Sequence, residues 1–276
     1  MKKLGPGLLA LVTALSLSWG MGRVQAAAPA DTLAEVKKKG VLVCGVKDSL
    51  PPFGYVDGTS REIVGYDIDI CKALATKLGV KVELKPVTSA SRMPQLQEGN
   101  VDLIAATMTH TAEREKQIDF SLTYFVTGQK FLTKTGSVKA LKDLEGKKIG
   151  TAKGSTSEQN ATKAVPTATV LSFDDYPQAV LALQQGKVAA VTTDESILIG
   201  QLNKLPAGQF EIPTLQISEE PYGLGMRKGD SKFVAFVNKT LLEMEKNGEA
   251  VTIYDRWFSS TSGTPRPRNF KITAGK

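Results

Sequence analysis

From residue 32 onward the apolar positions fall into two alternating periods. TLAEVKKKG (32–40) reads as a short helix, and VLVCGV (41–46) is an unbroken apolar run of strand length, the mark of a buried strand. A Pro/Gly loop, LPPFGYVDG (50–58), follows. YDIDICKALATKLG (66–79) is amphipathic at helical period and ends on Gly79, a natural left-handed stop. VKVELKPVT (80–88) reads as a strand, RMPQLQEG (92–99) as a helix with a glycine stop, and VDLIAAT (101–107) as a strand. The same order returns in EGKKIGTAKG (145–154), SEQNATKAV (157–165) and ATVLSF (168–173). Strands alternating with helices signal an α/β protein with mostly parallel sheets.

One unit, helix end then glycine then strand, occurs twice: LQEGNVDLIAAT (96–107) lies over LQQGKVAAVTTD (183–194). Two such units imply two similar lobes. The match puts Thr107 and Asp194 at equivalent places, each at the carboxyl end of its strand. Open α/β sheets bind ligands at that end, so two polar residues are expected to face each other across a cleft. TYFVTGQKFLTKTG (123–136) and SEEPYGLGMRKGD (218–230) are β-rich and lack a helix. Crossing between lobes at both places makes a clamshell. Its first lobe, 27–126 plus 222–276, is discontinuous; its second is 127–221, with hinge strands near 124–131 and 220–225.

At 276 residues, 41% hydrophobic and 23% charged, the chain has the length of two ordinary domains and a globular composition. Residues 1–26 stand apart. MKK is a basic start, LLALVTALSLSW a short apolar core, and VQA a cleavage signal before Ala27, the form of a secretory signal peptide. The mature chain is expected to be exported and soluble, since no other segment approaches about 18 apolar residues, and no cysteine follows the cleavage site to carry a lipid. Without Lys2, Lys3 and Arg23 the formal charge falls from +7 to +4. The lysines are scattered and not interleaved with aromatics, which argues against nucleic-acid binding. Cys44, in the apolar strand, and Cys71, on an apolar helix face, fit either a disulfide or two small buried hydrophobes. The single His110 cannot assemble a metal site and has no nucleophile beside it; it reads as a polar loop residue.

Two arginines stand where a helix dipole opposes them. In TSASRMPQLQ (88–97), Ser91 or Ser89 can cap a helix that starts at Arg92, with Pro94 tolerated only in its first turn. In MTHTAEREKQIDFS (108–121), Thr111 can cap AEREKQI, which sets Arg114 in the first turn. Each lies beside a cleft-facing strand end, where an arginine fork and helix-start amides hold an anion well. Lys47 directly follows the first strand, and Asp194 ends another. In KGSTSEQ (153–159), Ser155 or Thr156 with Glu158 fits a capping box, while the spacing of a P-loop is absent. A zwitterionic amino acid needs one cation and one anion. Arg92, Arg114 and Lys47 against Asp194 leave positive charge over, which suits a ligand with a second carboxylate.

GVLVCGVKDSLPPFGY, VGYDIDICKALA, RMPQLQEGNVDLIAATMT, TAEREKQIDFS and GEAVTIYDRWF together resemble the polar amino-acid solute-binding proteins of ABC importers, family 3 of the bacterial extracellular solute-binding proteins. The resemblance spans essentially the whole mature chain. TSxxRxPxLQ and the GSTSE loop look most like the glutamate/aspartate-binding branch. The resemblance implies a two-lobed periplasmic-binding-protein fold of type II, each lobe a mostly parallel sheet flanked by helices. It also implies a monomer in the periplasm, without cofactor, metal or catalytic residue, that delivers glutamate or aspartate to a membrane permease. By position, Arg114 grips the ligand α-carboxylate, helped by Thr109 and the backbone near Thr107, and Asp194 takes the α-ammonium. Arg92, with Ser89 beside it, matches the arginine for the side-chain carboxylate, and Thr156 a hydroxyl of the second lobe. Lys47 stands where that branch commonly has arginine, and Tyr176 where it can carry histidine. The alternatives are a receptor for another polar amino acid such as glutamine, and a cyclohexadienyl or prephenate-type dehydratase on the same scaffold, with Glu158 or Glu195 as its acid. A sensory input module would need a transmembrane or signalling segment that the chain does not show.

Overall fold

The computed structural model describes residues 31–274, so the expected signal peptide lies outside the described residues. α1 (Thr32–Lys39), capped by the Asp31 carboxylate, leads into β1 (Val41–Val46). Three short strands, β2 (Ser49–Leu50), β3 (Gly54–Val56) and β4 (Ile63–Val64), make a small antiparallel sheet around the Pro/Gly loop. α2 (Tyr66–Leu78) buries Ile68, Cys71, Leu74 and Ala75 and stops at Gly79 with a φ of 70°, where a side chain would be strained. β5 (Lys81–Pro86), α3 (Arg92–Gln97), β6 (Leu103–Ala105), α4 (Ala112–Glu115) and β7 (Ile118–Phe120) follow. The long β8 (Phe125–Lys134) carries the chain across to the second lobe. That lobe holds β9 (Lys148–Ala152), α5 (Thr156–Ala164), β10 (Thr169–Phe173), α6 (Tyr176–Gln184), β11 (Ala190–Asp194), α7 (Glu195–Leu202) and β12 (Phe210–Glu211). β13 (Ser218–Tyr222) returns, and β14 (Gly225–Arg227), α8 (Ser231–Asn247) and α9 (Glu249–Phe258) complete the first lobe.

The first sheet runs β5-β1-β6-β14-β7, and the second β10-β9-β11-β8-β12 with β13 also on β8. β1 pairs in parallel with β5 and β6, and β9 with β10 and β11. β14 and β8 pair antiparallel to their neighbours. Each sheet is therefore mixed. It is parallel where helix crossovers build it and antiparallel on the flank where the chain comes back from the other lobe.

β8 and β13 pair from Phe125↔Tyr222 to Gln129↔Ser218. Phe125 and Tyr222 anchor this two-stranded crossing in an aromatic cluster with Phe53, Tyr66, Tyr254 and Phe258; the Phe53 and Phe125 rings meet edge-on at 4.9 Å. Each such pair adds about 0.5–1.5 kcal/mol beyond burial, so the hinge is held firmly at its first-lobe end. The second lobe has its own cores, Leu132, Leu183, Val191 and Leu198 on one sheet face and Phe131, Leu144 and Ile149 on the other. Cys44 and Cys71 are both free and fully buried. His110 is more than a loop residue: its ring stacks on Phe120 at 4.4 Å and its Nε2 lies 2.6 Å from Glu115 Oε1.

Candidate functional site

Both sheets reverse their winding beside a central strand. The chain leaves β1 for β5 on one side and then crosses back to β6 on the other, and β9, β10 and β11 repeat the manoeuvre. A crevice forms outside the carboxyl ends at such a switch point. Lys47 follows β1, Thr107 lies just past β6, Thr156 opens α5 after β9, and Asp194 ends β11. The repeated unit thus delivers its two polar residues to corresponding places in the two sheets.

Lys47 is fully buried and donates to Ser89 Oγ at 3.1 Å. Burial brings its pKa down to about 8. Arg92 is 2% exposed, and its Nη1 donates to the main-chain carbonyls of Ala106 (2.6 Å) and Thr107 (3.2 Å). Its Nε has no partner in the protein. Burial, then the neighbouring Arg114 charge, lowers the Arg92 pKa to about 9. The expected serine cap does not form: Ser91 holds the N-cap position of α3 but its Oγ accepts the Thr88 N–H instead. Arg92 therefore works against an uncapped helix start and turns its guanidinium onto carbonyl oxygens. Those carbonyls are presented by a strained turn, because Thr107 sits at a φ of +48°. Its N–H is held at 2.9 Å by the buried Asp67 carboxylate, which also accepts the Tyr124 hydroxyl at 2.7 Å. Burial pushes the Asp67 pKa up to about 6.

Thr111 caps α4 as expected, accepting the Arg114 N–H at 3.2 Å, although α4 spans a single turn. Arg114 Nη1 donates to Thr109 O at 2.8 Å, and Nη2 reaches across to Gly154 O of the second lobe at 3.2 Å. The expected capping box at α5 is absent. Ser155 is at the N-cap but donates its hydroxyl to Ala152 O, while Glu158 accepts from Gly154 N and from Ser172. The Thr156 hydroxyl, left free of capping, turns to Glu220, as does that of Thr109. Asp194 is 4% exposed; one oxygen accepts the Tyr222 hydroxyl and the other, Oδ1, has no partner in the protein. Burial, reinforced by the Glu220 charge, raises its pKa to about 7. Tyr176 is buried and shares a 3.3 Å hydroxyl contact with Ser157.

The nine residues singled out in the sequence thus all lie along these strand ends and the helix starts that follow them. Asp67, Glu220 and Tyr222 were not singled out. The signal that could have found Glu220 is the alternation of SEEPY, which puts Ser218, Glu220 and Tyr222 on one face of a strand.

The lobes also meet around Ser49 and at two glycines. Ser49 donates to Asp175, and Gln201 Nε2 lies 3.4 Å from Ser49 O. Two glycines allow backbone to touch backbone. A Cβ on Gly154 would lie 2.8 Å from Ala90 Cα, and one on Gly200 would lie 1.9 Å from Pro51 O.

The family model described as bacterial extracellular solute-binding proteins, family 3, matches residues 42–260. The ABC transporter glutamine-binding protein GlnH of Bacillus subtilis (strain 168) is 40% identical over 232 residues, covering 82% of this chain and 84% of its own. The glutamate/aspartate import solute-binding protein of Escherichia coli (strain K12) is 34% identical over 264 residues, 90% of this chain and 87% of its own. Among solved structures, an ancestral arginine-binding protein bound to arginine superposes with a TM-score of 0.76 at 43% identity, over 80% of this chain and 99% of its own. Among the described residues, no helix is long and apolar enough to cross a membrane.

Proposed function

Since the chain belongs to the bacterial extracellular solute-binding proteins of family 3, we propose that it is the periplasmic receptor of an ABC amino-acid importer. It takes L-glutamate or L-aspartate between its lobes and hands it to the membrane permease. In this reading the lobes divide at 126/127 and 221/222, inside the paired crossing strands. Arg114 receives the α-carboxylate and Asp194, through its unpartnered Oδ1, the α-ammonium. Arg92 and Lys47, with Ser89 hydrogen-bonded to Lys47, receive the second carboxylate; Thr107, Thr109, Thr156 and Tyr176 line the remainder.

The observation that carries this reading is the pair Lys47 and Arg92. Both are buried, and among the described residues neither makes an ion pair. A buried charge with no carboxylate in contact is costly, and a ligand carboxylate offsets that cost. The relatives that bind glutamine support a second reading. Lys47, brought down to about 8, can meet a neutral amide at modest cost once deprotonated. The dehydratase reading needs an acid with a raised pKa. Glu195 has the opposite: burial alone would raise it, but hydrogen bonds from Lys130 and Arg266 hold it below its ordinary value.

Calorimetric titration of the mature protein with L-glutamate, L-aspartate, L-glutamine and L-arginine tests the assignment. Micromolar or tighter binding confined to the two acids is expected. Tight glutamine or arginine binding would keep the transport role and overturn the charge argument, and turnover of a prephenate-like acid followed by absorbance would overturn both.

A further inference from the structure

Glu220 is the most heavily engaged carboxylate of the cleft, and nothing in the reading above uses it. It stands on β13, one of the two strands that cross between lobes, and is 1% exposed. Its Oε2 accepts the Thr109 hydroxyl, from the first lobe, at 2.6 Å and the Thr156 hydroxyl, from the second, at 2.8 Å. The two hydroxyl oxygens lie 3.4 Å apart. Its Oε1 accepts Asn160 Nδ2 at 2.9 Å and the Ser218 hydroxyl. We propose that Glu220 is a positioning residue that joins ligand recognition to lobe closure, holding one hydroxyl from each lobe on a single carboxylate oxygen carried by the hinge itself.

Proton counting gives the first consequence. A threonine hydroxyl has one proton to donate. With both protons committed to Glu220, Thr109 and Thr156 turn lone pairs and main-chain N–H groups toward a ligand. The ligand α-carboxylate is then held by Arg114 and backbone donors, and the two hydroxyls act on affinity through Glu220. The second consequence is mechanical. Thr109 and Thr156 ride on different lobes, so one oxygen can hold both only while the lobes are together. A glutamine would fill the same space without repelling Asp194, whose carboxyl the Glu220 charge pushes up. A charged acceptor is the stronger one, and two donors converging from separate bodies call for it.

The proposal rests on the cleft being an amino-acid site, but its test does not depend on which amino acid binds. Calorimetry is run with L-glutamate, or with whichever of L-aspartate, L-glutamine and L-arginine binds in its place. The variants are Thr109→Val, Thr156→Val and Glu220→Gln, singly and with each valine combined with Glu220→Gln. Each valine is expected to weaken binding about tenfold in the parent and less than about twofold in the Glu220→Gln background. Equal losses in the two backgrounds would overturn the proposal, since the hydroxyls would then touch the ligand directly. Spin-label distances supply a readout that needs no ligand, with nitroxides at the exposed positions Glu83→Cys and Lys187→Cys, one on each lobe; Cys44 and Cys71 are buried and stay unlabelled. Glu220→Gln is expected to shift the interlobe distances to longer values. An unchanged distribution would reduce Glu220 to a structural residue, whatever its effect on melting temperature.

Discussion

Arg92 spends one guanidinium nitrogen on two carbonyls and leaves Nε without a protein partner, at 2% exposure. Arg92→Leu is expected to weaken glutamate binding at least about tenfold, or about 1.4 kcal/mol, in calorimetry on the folded variant; a loss below about threefold would remove Arg92 from the ligand's side chain. Titration adds a second expectation. Asp194 is raised to about 7 and Lys47 lowered to about 8. As pH falls through 7, Asp194 takes up a proton and cannot hold an ammonium; as it rises through 8, Lys47 loses its charge. Affinity for an acidic amino acid should therefore peak between these values and fall on the acid side by up to about tenfold per pH unit. A profile flat across this span would place both groups away from the ligand. Stability moves the opposite way for Asp194. The folded carboxyl keeps a proton that the unfolded one, near 3.8, has released, so this group withdraws stability as pH rises from about 4 to about 7.

Elements were legible in proportion to their local signals. α2 has both amphipathic period and a terminal glycine, and its end at Gly79 falls where the sequence puts it. α4 has a good threonine cap but stops after one turn, because AEREKQI offers no apolar face to bury and a helix that short gains little from propensity. Ser91 and Ser155 sit at N-cap positions and bond elsewhere, since a hydroxyl can choose among several backbone groups. Asp67 stayed hidden because its partners Thr107 and Tyr124 lie 40 and 57 residues away in the chain. The alternation of SEEPY could mark Glu220 as facing inward, but not its hold on Thr109 and Thr156, which lie 111 and 64 residues away. The glycine of α7 gives a prediction at this scale. Gly200→Ala should favour the helix by up to about 1 kcal/mol, yet its Cβ would meet Pro51 O at 1.9 Å. Binding is expected to weaken at least about tenfold while the melting temperature of the unliganded protein holds or rises. Weakened binding with a lowered melting temperature would instead mean damage within the lobe.

The whole molecule is two large sheets, with a small three-stranded one on the first lobe, joined by two strands whose first-lobe ends are locked among aromatic rings. The second lobe has cores of its own, while its Ala152, Tyr176 and Ile197 pack into the first-lobe cluster. That plan was readable from the doubled LQxGxV unit and the two helix-free stretches, because both are patterns of order rather than of contact. How tightly the lobes meet was not readable, since it depends on atoms from positions far apart in the chain. A ligand bridging both lobes adds stability by mass action. At a thousandfold excess over Kd the gain is about 4 kcal/mol, which for a chain of this size raises Tm by about 8–16 °C. Scanning calorimetry with and without glutamate checks this, and a rise seen equally with D-glutamate would argue against a shaped cleft.

The backbone-on-backbone contacts at Gly154 and Gly200 also make the protein a caliper with a fixed stop. Main chain cannot retract as a side chain can, so the jaws have one minimum gap. An amino acid shorter than that gap is not pursued by further closing, and one longer holds the jaws ajar. Selection by length then follows from the stop itself, apart from any charge the jaws carry, and the two criteria can be altered independently.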